Sequence, residues 1–167
     1  MGVLPKLCTS KEIKYQRKQF QETLDVQGVQ VRLYPIKRVE GEDVYDFYND
    51  VREQDLSYDD PIDIRILFEE VPQMRTLKSL GWFIDDNHLP YIAYIPTEYL
   101  DMESKEHILV PAVDDKIMLL DSTVEGIRSV RSYRIKDMRS MGYPDTIYHV
   151  AKLAPVREND PSDVFLN

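Results

Sequence analysis

A single cysteine, Cys8, in 167 residues has no partner within the chain, so no intrachain disulfide braces the fold and a cysteine-rich structural zinc site is excluded. A reducing compartment is the expectation. Six glycines leave little material for a phosphate-cradling loop, and neither a G-x-S-x-G elbow nor a cysteine–histidine nucleophile context occurs. No apolar run approaches the ~18 residues that a membrane-spanning helix needs. The opening MGVLPKLC is broken by Pro5 and Lys6, and Lys6 stands where a myristoylation signal has Ser or Thr, so neither export, lipid anchor nor membrane association is expected. Basic residues are also in deficit: 21 Lys and Arg against 30 Asp and Glu give a net charge of −9. A general electrostatic grip on nucleic acid, which needs many cations against phosphates, is disfavoured.

What is present is enough for one core. With 43% hydrophobic and 31% charged residues the chain reads as one soluble globular domain. The charge is unevenly placed. Residues 1–40 hold 8 cations and 4 acids, while residues 41–167 hold 13 and 26, so the amino end is set apart as a basic helix or arm, 1–27. Within it, Ser10 to Val26 follow a helical period with Ile13, Arg17, Phe20 and Leu24 on one thin stripe, Ser10 as N-cap, and Lys11, Lys14, Arg17 and Lys18 forming a basic face. Such a helix either closes one end of a barrel or meets a neighbour.

After Gly28 the period switches to two. Val29, Val31 and Leu33 alternate with polar residues up to Pro35, and Ile62, Ile64, Ile66 and Phe68 alternate again. Between them, residues 41–63 hold nine acids and one Arg, interleaved with tyrosines, which reads as a long loop or excursion. Pro72, the spacing Met74, Leu77, Leu80 and a left-handed cap at Gly81 predict a short helix. Further strands are predicted at 82–84, 91–95, 108–110, 116–121, 132–138 and 146–153, punctuated by prolines and by Asp85, Asp86 and Asn87. The pattern is mainly β: a barrel or sandwich of about eight short strands over 28–157, with an N-terminal helix, one short inserted helix and a polar tail, 158–167, tipped by Val164, Phe165 and Leu166. That tip folds back on its own domain or docks on a partner subunit.

Chemistry is thin on this chain. His88, His107 and His149 match no metal spacing, and DDNHLP around His88 reads as a hairpin turn. The acidic excursion lacks the acid alternation and central glycine of a calcium loop, and the pairs Asp59–Asp60 and Asp114–Asp115 read as turn residues. No catalytic residue, metal or cofactor is assigned, and no enzyme is expected. Eleven tyrosines, among them Tyr34, Tyr91, Tyr94, Tyr133 and Tyr148 on strand patterns, either form an assembly surface or line the mouth of a barrel.

The order of segments carries one resemblance. GVQVRLYPI, the acidic excursion, PIDIRILFEEVP, a short helix into LGW, YIAYIP, ILVPAVDDKIMLL with its loop from Pro111 to Ile117, then YRIKDM and TIYHVAKLAP resemble the head-closure or neck connector proteins of tailed bacteriophages. The resemblance covers roughly residues 28–157. It implies a small β-barrel protein of the virion neck, assembled in the bacterial cytoplasm, that forms a homo-oligomeric ring beneath the portal and adaptor and receives the tail. DNA would pass through such a ring without specific binding. On this reading Lys11, Lys14, Arg17 and Lys18 contact an acidic neighbour such as the adaptor, and Val164, Phe165 and Leu166 join subunits or tail. Asp43, Asp46, Asp50, Asp55, Asp59 and Asp60 then face or gate the lumen, or sit on the outer rim. A tail-terminator or tail-completion protein is the nearest alternative. From other classes, a cytoplasmic β-barrel ligand-binding protein or enzyme would show a deep pocket with convergent polar groups, and a regulatory module would show one stoichiometric partner.

Overall fold

The computed structural model describes residues 10–37, 57–70, 72–82, 91–120, 130–142 and 145–156. Among the described residues eight strands are present, β1 (Val29–Tyr34), β2 (Ile62–Glu69), β3 (Tyr91–Pro96), β4 (Glu98–Leu100), β5 (Glu106–Ile108), β6 (Lys116–Leu120), β7 (Val130–Met141) and β8 (Tyr148–Pro155). Two helices, α1 (Ser10–Gln27) and α2 (Met74–Ser79), accompany them. Six strands close into an antiparallel barrel in the order β1-β2-β3-β8-β7-β6, with β6 pairing back onto β1, while β4 and β5 form a separate hairpin. Closure leaves none of those six strands with an open edge along its paired length, which removes the usual template for edge-to-edge aggregation.

The period-two alternation explains the interior. Val31 and Leu33 of β1, Ile64 and Ile66 of β2, Ala93 and Ile95 of β3, Ile117 and Leu119 of β6, and Ala151 and Leu153 of β8 all project inward and fill the barrel with side chains. The polar residues between them face out, and Arg32 meets its cross-strand neighbour Asp63 at 2.8 Å there. In β7 the alternation is broken at Lys136 by a register shift between Ile135 and Asp137. The bulge carries Met138 onto the core and sends Asp137 outward to accept a 2.7 Å hydrogen bond from the Trp82 indole.

A second apolar cluster lies on the outside of β3 and β8. Leu77, Trp82, Ile92 and Val150 form it, capped by α2. Gly81 takes φ +71, and the Trp82 amide donates to the Leu77 carbonyl at 3.0 Å, so the helix ends in a Schellman turn whose two apolar residues meet in that cluster. Trp82, expected to open a strand, instead closes this turn, and residues 83–84 lie outside the described residues. The strand expected at 108–110 is displaced to Glu106–Ile108 because Leu109 is drawn into the core, its amide bonded to the Thr97 carbonyl at 2.7 Å.

Ser10, expected as the N-cap, is itself helical as the first residue of α1. The segment set apart as a helix or arm is packed on the barrel over residues 10–27, against β2 and β3. Its thin stripe is the contact: Ile13 and Leu24 are buried, and the Phe20 ring stacks on Tyr148 with centroids 4.8 Å apart. Gly28 turns the chain from helix to strand so closely that an added Cβ would lie 2.3 Å from the Leu24 carbonyl oxygen. The strand tyrosines are taken up by the fold. Tyr91 and Tyr133 cluster with Phe68 at one mouth of the barrel, Tyr94 packs with Tyr148 outside it, and Tyr34 meets Tyr58.

Candidate functional site

β3 does not end at the barrel rim. It passes through the buried pair Pro96–Thr97 into β4, and the β4–β5 hairpin projects beside α1. Strand alternation gives this hairpin two different faces. Tyr99 and His107 are cross-strand partners whose rings stack at 5.3 Å, with Tyr99 packed on the barrel core. The opposite face carries Glu98, Leu100, Glu106 and Ile108, and it walls a cleft of about 960 Å³ whose other wall is α1, through Lys14, Arg17, Lys18 and Phe20. Asp25 of α1, Gln30 of β1, Asp63, Ile64 and Arg65 of β2, and Ile147 are among the other residues that line it.

One side chain ties the turn of the hairpin together. Asp101 accepts from the amides of Glu103 (2.9 Å) and Lys105 (2.8 Å) through Oδ1, and its Oδ2 lies 2.8 Å from His107 Nε2. These hydrogen bonds, His107 first, hold the Asp101 carboxyl below its usual range. What the braced turn presents to solvent is apolar: Met102 is fully exposed at the tip, Ile108 is 81% exposed and Leu100 65%.

Arg17 joins helix to hairpin. Its guanidinium donates to the Thr146 carbonyl from Nε (2.9 Å) and Nη2 (2.6 Å) and to the Glu98 carboxylate from Nη1 at 3.3 Å. Hydrogen bonding to its neighbour Glu106, then burial and the Glu106 charge, raise the Glu98 pKa from its ordinary value, against the opposing pull of Arg17 and Lys14. The cleft therefore combines apolar residues, a lysine rim and the acids Asp25, Asp63, Glu98 and Glu106.

The basic face named from the sequence is split by this arrangement. Arg17 is turned onto its own domain, whereas Lys11, Lys14 and Lys18 are exposed. Asp59 and Asp60 are exposed where the chain re-enters the barrel, and the Asp59 amide donates to the Pro35 carbonyl at 2.8 Å. Asp43, Asp46, Asp50, Asp55, Val164, Phe165 and Leu166 lie outside the described residues. The excursion leaves and returns through a closed base, Lys37 donating to the Ser57 carbonyl at 2.9 Å and Ile36 bridged to Tyr58. Glu98, Leu100, Glu106 and Ile108 were not singled out from the sequence. The only available signal was the scatter of apolar residues Leu100, Met102, Ile108 and Val110 through an otherwise polar stretch.

Among the described residues no three His, Cys, Asp or Glu side chains are grouped to hold a metal ion, and no helix is long and apolar enough to cross a membrane. His149 is buried in β8, its Nδ1 3.1 Å from Ser140 Oγ. Burial pushes the imidazole pKa down, partly offset by the Leu109 carbonyl. Because the folded value is depressed, the neutral ring contributes its full stability above the ordinary histidine pKa of about 6.5 and loses it as pH falls below that toward the folded value. Denaturant titrations between neutral and mildly acidic pH are expected to show a steeper loss of stability in the wild type than in His149→Gln. Equal slopes would show that His149 is not the group responsible.

Comparison with protein-family models, curated proteins and solved structures returns no match.

Proposed function

We propose that the chain is a structural virion protein of the tailed-phage neck, a non-enzymatic β-barrel subunit that assembles as a ring beneath the portal and adaptor and offers the tail a docking surface. The observation that carries this reading is the braced β4–β5 hairpin with its exposed Leu100, Met102 and Ile108 beside the lysine ridge of α1. A turn tied down by Asp101 has little conformational entropy left to lose on association, and exposed apolar residues on such a turn favour a protein partner. The packed barrel interior agrees with a scaffold role, and the net charge of −9 agrees with a ring that lets a DNA duplex slide past.

The lysine ridge supports contact with an acidic neighbour such as the adaptor. Lys11, Lys14 and Lys18 changed together to Glu, with Arg17 left in place to hold α1, are expected to abolish incorporation into the neck while circular dichroism and thermal unfolding stay near wild type. Incorporation at wild-type levels would sink that contact. The reading as a whole is tested by epitope labelling of intact particles viewed by electron microscopy, with mass spectrometry of the purified particles. Label at the capsid–tail junction is expected. A label further along the tail would favour the tail-terminator alternative.

One observation favours a different class. The cleft, at about 960 Å³ and with Arg17, Glu98 and Glu106 converging on it, has the size and polar groups of a small-ligand site. Absence of the protein from particles would move this binder reading to first place.

A further inference from the structure

The β4–β5 hairpin stands outside the closed barrel and hangs from it by the buried pair Pro96–Thr97, and its titratable side chains meet in two places. We propose that the hairpin is a proton-operated clasp, which tightens across its own turn and onto α1 when His107 takes up a proton and Glu98 and Glu106 come to share one. The clasp is a property of the hairpin itself, whatever partner its apolar face meets.

The strand register sets the first meeting place. Tyr99 opposes His107 and Leu100 opposes Glu106, so Glu98 and Glu106 are diagonal neighbours on one face, within reach of each other across the two strands. The cations they face come from α1: Arg17 Nη1, 3.3 Å from Glu98 Oε1, and Lys14. Lys18, Asp25, Asp63 and Arg65 also line the cleft, Lys18 held 3.9 Å from Glu22, Asp63 at 2.8 Å from Arg32, and Arg65 on the Asp25 carbonyl at 3.0 Å. With both glutamates charged, their mutual repulsion opposes the attraction to Arg17 and Lys14. One shared proton removes the repulsion and still leaves an anion for the cations. The raised Glu98 pKa has this origin, so the docked hairpin holds its proton more firmly than a detached one. Docking therefore strengthens as pH falls from neutral through the raised value toward the ordinary carboxylate range.

The second meeting place is the turn. His107 Nε2 lies 2.8 Å from Asp101 Oδ2, and the imidazole stacks on the Tyr99 ring at 5.3 Å. The other charges of the turn, Lys105 and Glu103, pair with each other. A proton on His107 converts the hydrogen bond to Asp101 into an ion pair. Asp101 stays an anion into the acid range because its own pKa is lowered, first by His107 and then by the Lys105 and Glu103 amides. Both changes act in one direction between neutral pH and about pH 5. The barrel responds in the opposite sense over the same interval, since the buried His149 resists protonation.

Solvent exchange of single amides in the full chain, read by NMR and corrected for the intrinsic rate at each pH, tests the clasp. The reporters are the Asp101 amide, bonded to the Lys105 carbonyl at 3.0 Å, and the Leu109 amide, bonded to the Thr97 carbonyl at 2.7 Å. From about pH 7.5 to about pH 5.5 the protection of both is expected to rise about threefold, the scale of one exposed charge pair, while that of the Ile135 amide in β7 does not rise. His107→Gln is expected to abolish the rise at Asp101, and Glu106→Gln the rise at Leu109. Both positions are exposed, and thermal unfolding checks that each variant keeps the fold. Flat or falling protection at both amides in the wild type, a rise that persists with both changes combined, or a Glu98 carboxyl carbon that titrates at the ordinary glutamate value would each overturn the proposal.

Discussion

Asp115→Ala is expected to lower the free energy of unfolding by roughly 3–5 kcal/mol. Asp115 is 2% exposed, and its two carboxylate oxygens accept from the Ile36 amide and the Ala112 amide, each at 2.8 Å. One side chain thus ties the end of β1 to the loop that delivers β6, the two strands whose pairing closes the barrel. Alanine would strand both donors in a region that water does not reach, and charge-assisted hydrogen bonds are the expensive ones to lose. The next residue, Lys116, and its cross-strand partner Arg134 are themselves buried, so a local negative charge disappears beside two buried cations. Urea denaturation followed by tryptophan fluorescence measures the effect. Asp115→Asn retains one acceptor oxygen and is expected to recover part of the loss. An alanine variant within about 0.5 kcal/mol of wild type, the range of ordinary surface changes, would show that closure does not depend on this carboxylate.

The second large effect is expected at the seam of α1. Leu24→Ala should cost about 2–5 kcal/mol, the range for truncating a fully buried leucine. Only Ile13 and Leu24 on this 18-residue helix are buried, and the remaining grip comes from the Phe20–Tyr148 stack and the Arg17 bonds. A helix held along so narrow a line is expected to loosen before the barrel does. Hydrogen exchange read by mass spectrometry should therefore show lost protection over residues 10–27 in Leu24→Ala while β7 and β8 keep theirs. Tyr15→Ala, on the exposed side of the same helix, serves as the control and should leave exchange unchanged. Uniform loss of protection across helix and barrel would mean that α1 belongs to the same cooperative unit as the strands.

The two effects separate what could be read locally from what could not. Strand character was legible because each barrel strand buries one face, which imposes the apolar–polar alternation of Val31 and Leu33 or of Ile62, Ile64 and Ile66. The end of α2 was legible for a similar reason: a left-handed turn after Leu80 needs glycine, and Gly81 stands there with φ +71. The helix stripe at Ile13, Arg17, Phe20 and Leu24 was legible as a stripe, but the meaning of a cation in it was not. Whether Arg17 faces a partner or its own domain depends on the Thr146 carbonyl, which only folding brings to it from 129 residues away. Asp115 reads as a turn residue for the same reason, since Ile36 is remote in sequence.

The short hairpin marks where local pattern fails. Three residues per strand are too few to establish a period, so Glu98, Leu100, Glu106 and Ile108 share a face only once Tyr99 and His107 are paired on the other. The bulge in β7 likewise reverses which residues point inward after Ile135, and alternation read along the chain carries no trace of it. The sequence by itself determined a mainly β chain with a basic helix at its amino end, because periodicity and turn chemistry act between near neighbours. Closure of β1 onto β6, the side of α1 that meets the barrel, and the cleft beside the hairpin were decided by tertiary structure alone, because each depends on backbone and side-chain groups that are far apart in the chain and adjacent only in the folded barrel.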